Sequence, residues 1–201
     1  MKDELDTSNK YSWQAVRSGD IRDLNDFAYL MSLAKNEQPE VFVEDGSRKG
    51  QFILHEVLEP KEGAMILRQN GRAIGCIRYE NFGEGITTLF ISFVYVLPEK
   101  RNARIVRDIL KTIRSIAHEH SADSIAWIST NATEHMYDKI NMNAQSSLRR
   151  ELAWSRIKKQ DPKGPMPDYV IYAQELDEKN ILSLFHQPNQ GTVVGYNDSN
   201  A

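Results

Sequence analysis

Cysteine is nearly missing from the chain: Cys76 is the single one among 201 residues. That excludes an intramolecular disulfide and any multi-cysteine zinc site, and it fits a reducing compartment. Cys76 stands inside the alternation Ala73-Ile74-Gly75-Cys76-Ile77, where a thiol reads as a small buried hydrophobe rather than a nucleophile. Long apolar runs are missing too, and none approaches bilayer-spanning length. The opening Met1-Lys2-Asp3-Glu4-Leu5-Asp6 is too charged for a signal peptide. Its Lys2-Asp3-Glu4-Leu5 spells a retention address that is read only at a C-terminus. The expected location is the cytoplasm. An excess of positive charge is also lacking: the net charge is −3, which argues against binding nucleic acid through a broad basic surface. What is present, 40% hydrophobic and 26% charged residues, is the balance of a globular protein long enough for one packed domain.

Patterning divides the chain into a flexible N-terminus (1–10), a folded unit (11–176) and a polar, partly disordered extension (177–201). Ser12 to Arg17 alternates like a first strand. Asp20 then caps a helix whose apolar face is Ile21, Leu24, Phe27, Ala28, Met31 and Ala34. A short amphipathic piece around Phe52, Ile53, Leu54, Val57 and Leu58 stops at Glu59-Pro60. Gly63 to Gln69, Asn70-Gly71 and Arg72 to Tyr79 read as a hairpin. After the Gly83-Glu84-Gly85 turn, Ile86 to Leu97 forms a long strand, apolar on both faces towards its end and so central. A strong amphipathic helix follows, with Ile105, Ile109, Leu110, Ile113, Ile116 and Ala117 in one stripe. Ser124 to Ser129 is a strand that can lie parallel to the long one, because a helix connects them. Asn131 to Ile140 is a short helix. Leu148 to Ile157 and Asp168 to Leu176 read as two strands of a hairpin around a Pro/Gly-rich loop. The class is α/β (α+β mixed sheet), a central mixed β-sheet flanked by about four helices.

The stretch Val96-Leu97-Pro98-Glu99-Lys100-Arg101-Asn102-Ala103-Arg104-Ile105-Val106-Arg107 runs from strand to helix without one glycine. A helix start attracts anions through its free N–H groups and dipole. Here Arg101, Arg104 and Arg107 crowd it with positive charge, where acidic residues are favoured. A bound anion would relieve that conflict; a solvated basic face would equally leave the arginines in water.

These elements, with "VYVLPEKRNARIVRDIL" and the later "NATEHMYDKINM", resemble the GNAT superfamily of acyl-CoA-dependent N-acetyltransferases over residues 11–176. The resemblance implies a GNAT-like fold and acetyl-CoA as co-substrate, with no metal. It implies that the main chain of Phe93, Val94, Tyr95 and Val96 bonds the pantetheine arm where two parallel strands splay apart. It implies a pyrophosphate cradle at Arg101, Asn102, Ala103, Arg104, Ile105 and Val106, a pantetheine or capping role for Asn131, and Tyr137 as the acid that protonates the departing thiolate. Arg101 matches the family's turn pattern, whereas Arg104 and Val106 replace its glycine and small residue, and Asn141 replaces the glycine of the second motif. Glycine in the turn lets backbone approach phosphate; a guanidinium at Arg104 either substitutes for that contact or blocks the cradle.

No single residue stands out as a general base among Glu80, Glu84 and Ser92, and water would also serve. His118 and His120 are spaced i,i+2, which places them on different helix faces and argues against a metal site. The resulting expectation is transfer of an acetyl group to a primary amine of a small-molecule or protein acceptor, by direct attack in a ternary complex. Two other readings stay open: a non-catalytic binding or regulatory module with a closed coenzyme site, and an acyltransferase acting on nucleic acid through Arg149, Arg150, Arg156, Lys158 and Lys159. No membrane contact is expected, and apolar strand ends are compatible with a homodimer.

Overall fold

The structure, a computed structural model, describes residues 11–39, 42, 58, 61–128 and 146–177. In chain order it contains β1 (Tyr11–Ala15), α1 (Ile21–Glu37), β2 (Glu62–Gln69), β3 (Arg72–Phe82), β4 (Thr87–Val96), α2 (Ala103–Glu119), β5 (Ala122–Trp127), α3 (Ser147–Gln160) and β6 (Tyr169–Tyr172). The six strands form one sheet in sequential order. Only the β4–β5 pair is parallel; the other four pairs are antiparallel. The mixed sheet expected from the sequence is present, with β4 and β5 joined through α2.

Local chemistry accounts for the early elements. The Asp20 carboxylate accepts from the Arg22 and Asp23 amides and so caps α1. Phe27, Leu30, Met31 and Ala34 of α1 are buried against the sheet. Arg68 of β2 fastens that helix, pairing with Asp23 at 2.7 Å and with Asp26. Asn70 and Gly71, at φ 51° and 79°, make the two-residue turn whose twist suits a hairpin.

The two faces of the sheet carry different helices. Ala64, Ile66, Cys76, Phe93 and Tyr95 pack under α1, and Phe82, Phe90, Ala126 and Val170 pack under Ala153 and Ile157 of α3. On the opposite face Ile77, Leu89, Ile91, Ile125 and Trp127 meet Leu110, Ile113, Ile116 and Ala117 of α2. The expected stripe of α2 is therefore its buried face.

β4 switches faces midway. Arg78 of β3 pairs with Phe93 and Tyr79 with Ile91, so Ser92 is an extra residue on β4. This is a β-bulge. Before it, Leu89 and Ile91 face α2; after it, Val94 and Val96 do.

The segment Leu148–Ile157 corrects the expected strand: it lies in helix α3. The pair that buries is Ala153 and Ile157, four apart, the helical spacing. Leu148 and Leu152 stay exposed, and Leu, Arg, Glu, Ala and Lys there are good helix formers. The second expected strand shrinks to Tyr169–Tyr172 and pairs with β5, followed by a 3-10 turn at Ala173–Glu175. The first strand sits one residue early, at Tyr11–Ala15, and the strand expected at 124–129 begins at Ala122. The helix expected at 131–140 and most of the piece at 52–58 lie outside the described residues.

Candidate active site

β4 is paired unequally on its two sides. Against β3 its ladder runs from Thr88 to Val96. Against β5 the ladder stops at Ile91–Trp127, so among the described residues Ser92 to Val96 have no strand partner on that side and a gap opens at the centre of the sheet. The Leu97 amide donates to Ile74 O at 2.9 Å, on the β3 side. Since successive peptide groups alternate along a strand, those of Val96 and Val94 turn towards the gap. Their side chains pack on the α2 face, and those of Phe93 and Tyr95 stack on each other at 6.4 Å under α1. Core side chains and outward main chain thus coexist in the same four residues.

The gap leads to the glycine-free turn. Pro98–Lys100 forms a 3-10 turn, and α2 starts at Ala103 with no acidic residue in its first turn. Asn102 caps the helix, its Oδ1 accepting from the Ile105 amide at 3.1 Å and its carbonyl from the Val106 amide. Helix geometry leaves the Ala103 and Arg104 amides without intrahelical acceptors. Arg104 is exposed, and its guanidinium lies over the Tyr11 ring, 5.2 Å from the centroid.

Arg101 turns inward. Its Nε donates to Val96 O at 2.9 Å, its Nη2 to Glu37 Oε2 at 2.7 Å, and the group lies over Tyr95. The hydrogen bond from Arg101 holds the Glu37 carboxyl below its ordinary value. Burial, followed by the charge of Glu37, pushes the Tyr95 phenol up to about 12. The Arg101–Glu37–Tyr95 cluster was not legible in the sequence: Glu37 is a polar residue at a helix end, with nothing near it in the chain to mark it.

The three base candidates separate clearly. Glu84 is exposed in the β3–β4 turn. Ser92 is the bulged residue, and its hydroxyl is buried with no hydrogen-bond partner among the described residues. Glu80 is 4% exposed on β3, with Lys61 Nζ 3.3 Å away. Burial raises its carboxyl pKa, and the Lys61 charge opposes the shift. Beside it Arg78 is paired with Glu62 on β2. Cys76 is fully buried, its thiol pushed up to about 12 by desolvation, as a packing residue should be. His118 is exposed, the His120 ring packs on Tyr79 at 5.6 Å, and no metal-binding cluster occurs among the described residues. Asn131, Tyr137 and Asn141 lie outside the described residues.

Four of the five basic residues on α3 are engaged within the domain. Arg149 makes two hydrogen bonds to Glu175, Arg150 bonds Pro167 O, Arg156 bonds Thr88 Oγ1 at 3.0 Å, and Lys158 lies over Trp154. No helix among the described residues is long and apolar enough to cross a membrane.

No curated protein sequence matches the chain. Among solved structures, N-acetylglutamate synthase from Neisseria gonorrhoeae, complexed with coenzyme A and N-acetyl-glutamate, superposes with a TM-score of 0.53 at 19% identity; the match covers 82% of this chain and 35% of that one. Ribosomal-protein-alanine N-acetyltransferase from Brucella melitensis biovar Abortus 2308 matches at 0.47 and 17% identity, over 65% of this chain and 90% of that one. A predicted acetyltransferase from Clostridium acetobutylicum, with acetyl-CoA, matches at 0.46 and 14% identity, over 65% and 88%. The family model of the acetyltransferase (GNAT) family matches residues 27–142, more than half of the chain and including both the gap and the turn. The chain belongs to the GNAT family of acetyltransferases.

Proposed function

We propose that the protein is an N-acetyltransferase that moves an acetyl group from acetyl-CoA to a primary amine, by direct attack within a ternary complex. One observation carries the reading: the central sheet opens beside β4 after Ile91–Trp127, and the peptide groups of Val94 and Val96 turn into the opening. An amide-rich arm can pair there as an added strand, and the turn beyond Val96 offers the Ala103 and Arg104 amides to a diphosphate. The residues present fit the coenzyme. When bound, it supplies an activated thioester.

The chain's own groups would then do the rest. The Val94 peptide groups and the Val96 amide hold the arm along β4, the Val96 carbonyl being taken by Arg101, and a backbone amide at the gap donates to the thioester carbonyl as charge develops on it. Glu80, the buried carboxylate of the three candidates, accepts the proton of the incoming amine, directly or through water. Tyr137, by its match to the family motif, gives a proton to the leaving sulfur.

The absence of turn glycines and the inward Arg101 favour a second reading, a binding module without turnover. Calorimetric titration with coenzyme A tests the site itself, and absence of binding overturns both readings. Thiol release with a panel of primary amines separates them. Tyr137→Phe is expected to keep coenzyme affinity and to lower turnover by about 100-fold or more, the range for a general acid; full turnover in that variant removes the phenol from the mechanism.

A further inference from the structure

We propose that Lys61 is a site of self-acetylation: its Nζ, held beside Glu80, takes the acetyl group of acetyl-CoA bound to the same chain. This rests on the coenzyme reading above.

The sheet brings the two residues to the right face. Along β3, Cys76 packs under α1 and Phe82 under α3. Alternation puts Arg78 and Glu80 on that same face, between the parts the two helices cover. Glu62 of β2 pairs with Glu80, and Lys61 directly precedes it. On its other side Glu80 pairs with Phe90 of β4, the neighbour of Ile91, where the β4–β5 ladder ends. The Lys61–Glu80 pair thus stands one strand away from the closed end of the gap. An arm laid along the open edge of β4, from the turn after Pro98, brings its thioester towards that end. On the opposite face Ile91 and Trp127 cluster with Leu110 and Ile113 of α2, so an amine approaches from the α1 and α3 side.

Charge and exposure fit the same step. Lys61 Nζ lies 3.3 Å from Glu80 Oε2, the lysine 52% exposed and the glutamate 4%. Glu62, the other carboxylate there, is paired with Arg78. Lys61 is a primary amine on a flexible four-carbon stem, reaching in from the surface to a buried carboxylate placed to take its proton. A tethered amine also avoids the entropy cost of collecting a second molecule. In the reaction Glu80 takes one proton from Nζ, and the nitrogen lone pair forms the C–N bond to the thioester carbonyl carbon. The C–S bond breaks with its electrons on sulfur, which leaves as a thiol carrying the second nitrogen proton. The product is a neutral acetyl-lysine that no longer pairs with Glu80 as a cation.

Peptide mass mapping of the full chain incubated with acetyl-CoA tests this with no added acceptor. Acetylation of Lys61 is expected to saturate with acetyl-CoA, to stop with excess coenzyme A and to keep its rate when the protein is diluted. Chemical acetylation of an exposed lysine such as Lys163 should instead grow in proportion to acetyl-CoA. Glu80→Gln should slow the Lys61 reaction by about 100-fold or more, the range for a general base, with coenzyme A affinity unchanged in calorimetry. Acetic anhydride, which uses no coenzyme site, gives the opposite readout: Glu80→Gln releases Nζ from its ion pair and should label Lys61 faster than the wild type. Should that variant fail to fold, competition by coenzyme A in the wild type decides alone. Lys61 left unmodified in protein that binds acetyl-CoA overturns the proposal. So does a Lys61 reaction that survives excess coenzyme A or Glu80→Gln, one that slows on dilution, or anhydride labelling that Glu80→Gln does not raise. In each of these cases thiol release with added amines by Lys61→Arg keeps the proposed function standing. Failure to bind coenzyme A at all removes the coenzyme reading and this inference with it.

Discussion

Arg101 is held by Glu37: the Nη1 and Nη2 groups each lie 2.7 Å from a carboxylate oxygen of the last residue of α1. The cation that the family resemblance places at the phosphate is thus committed inside the protein, bracing the turn against the end of β4 and the end of α1. The pair is a quarter to a third exposed, so on its own it contributes little, about 0–1 kcal/mol.

Glu37→Gln should free the guanidinium and strengthen coenzyme A binding, whereas Arg101→Ala should weaken it by about 1–3 kcal/mol, the range for hydrogen bonds to a charged group. Identical affinities in calorimetry for both variants and the wild type would exclude Arg101 from the diphosphate site. The same pair sets an acid limit. Because the folded-state pKa of Glu37 lies below 4.5, its contribution is present above 4.5 and is lost as pH falls through the lower folded value. Thermal unfolding followed from pH 6 downward should show a shallower loss in Glu37→Gln than in the wild type.

Asn102 caps α2 and occupies the Ile105 amide, one of the donors a diphosphate would use. Asn102→Ala should cost about 1 kcal/mol of stability, typical for a lost cap, and leave coenzyme affinity unchanged or higher. A parallel fall in affinity would make the Asn102 side chain itself a ligand.

Gly75 pairs with Val96 at the coenzyme end of β4. A Cβ there would stand 2.7 Å from Tyr95 O and 3.1 Å from Val96 Cγ2. Gly75→Ala should push β3 away from β4 at a cost of about 1–3 kcal/mol and disturb the gap. A denaturant midpoint equal to the wild type would mean that β4 shifts freely, contrary to its full ladder with β3.

Most of the framework was legible because its signals are local. Asn70-Gly71, the Asp20 cap and the stripe from Ile105 to Ala117 each declare themselves within a few residues, and the structure follows them. α3 was misread because Leu148 and Leu152, its most conspicuous apolar residues, are exposed, and the pair that packs, Ala153 and Ile157, is inconspicuous between charged neighbours. The gap was implied by family resemblance and not by any residue: nothing in the letters of β5 announces that its ladder ends at Trp127. The Arg101–Glu37 pair joins residues 64 positions apart, and sequence periodicity carries no information at that range.

Ser92 works as a phase correction in β4. Upstream of it the odd-numbered residues Leu89 and Ile91 look towards α2, and downstream the even-numbered Val94 and Val96 do. Deleting this one serine would therefore leave both halves on their present faces: Ile91 and Phe93 would become neighbours opposite Tyr79 and Arg78, in regular pairing. Pairing Ser92 in the ladder instead of bulging it is what would exchange the walls of the opening, bringing Phe93 and Tyr95 to the α2 side and the two valines beneath α1.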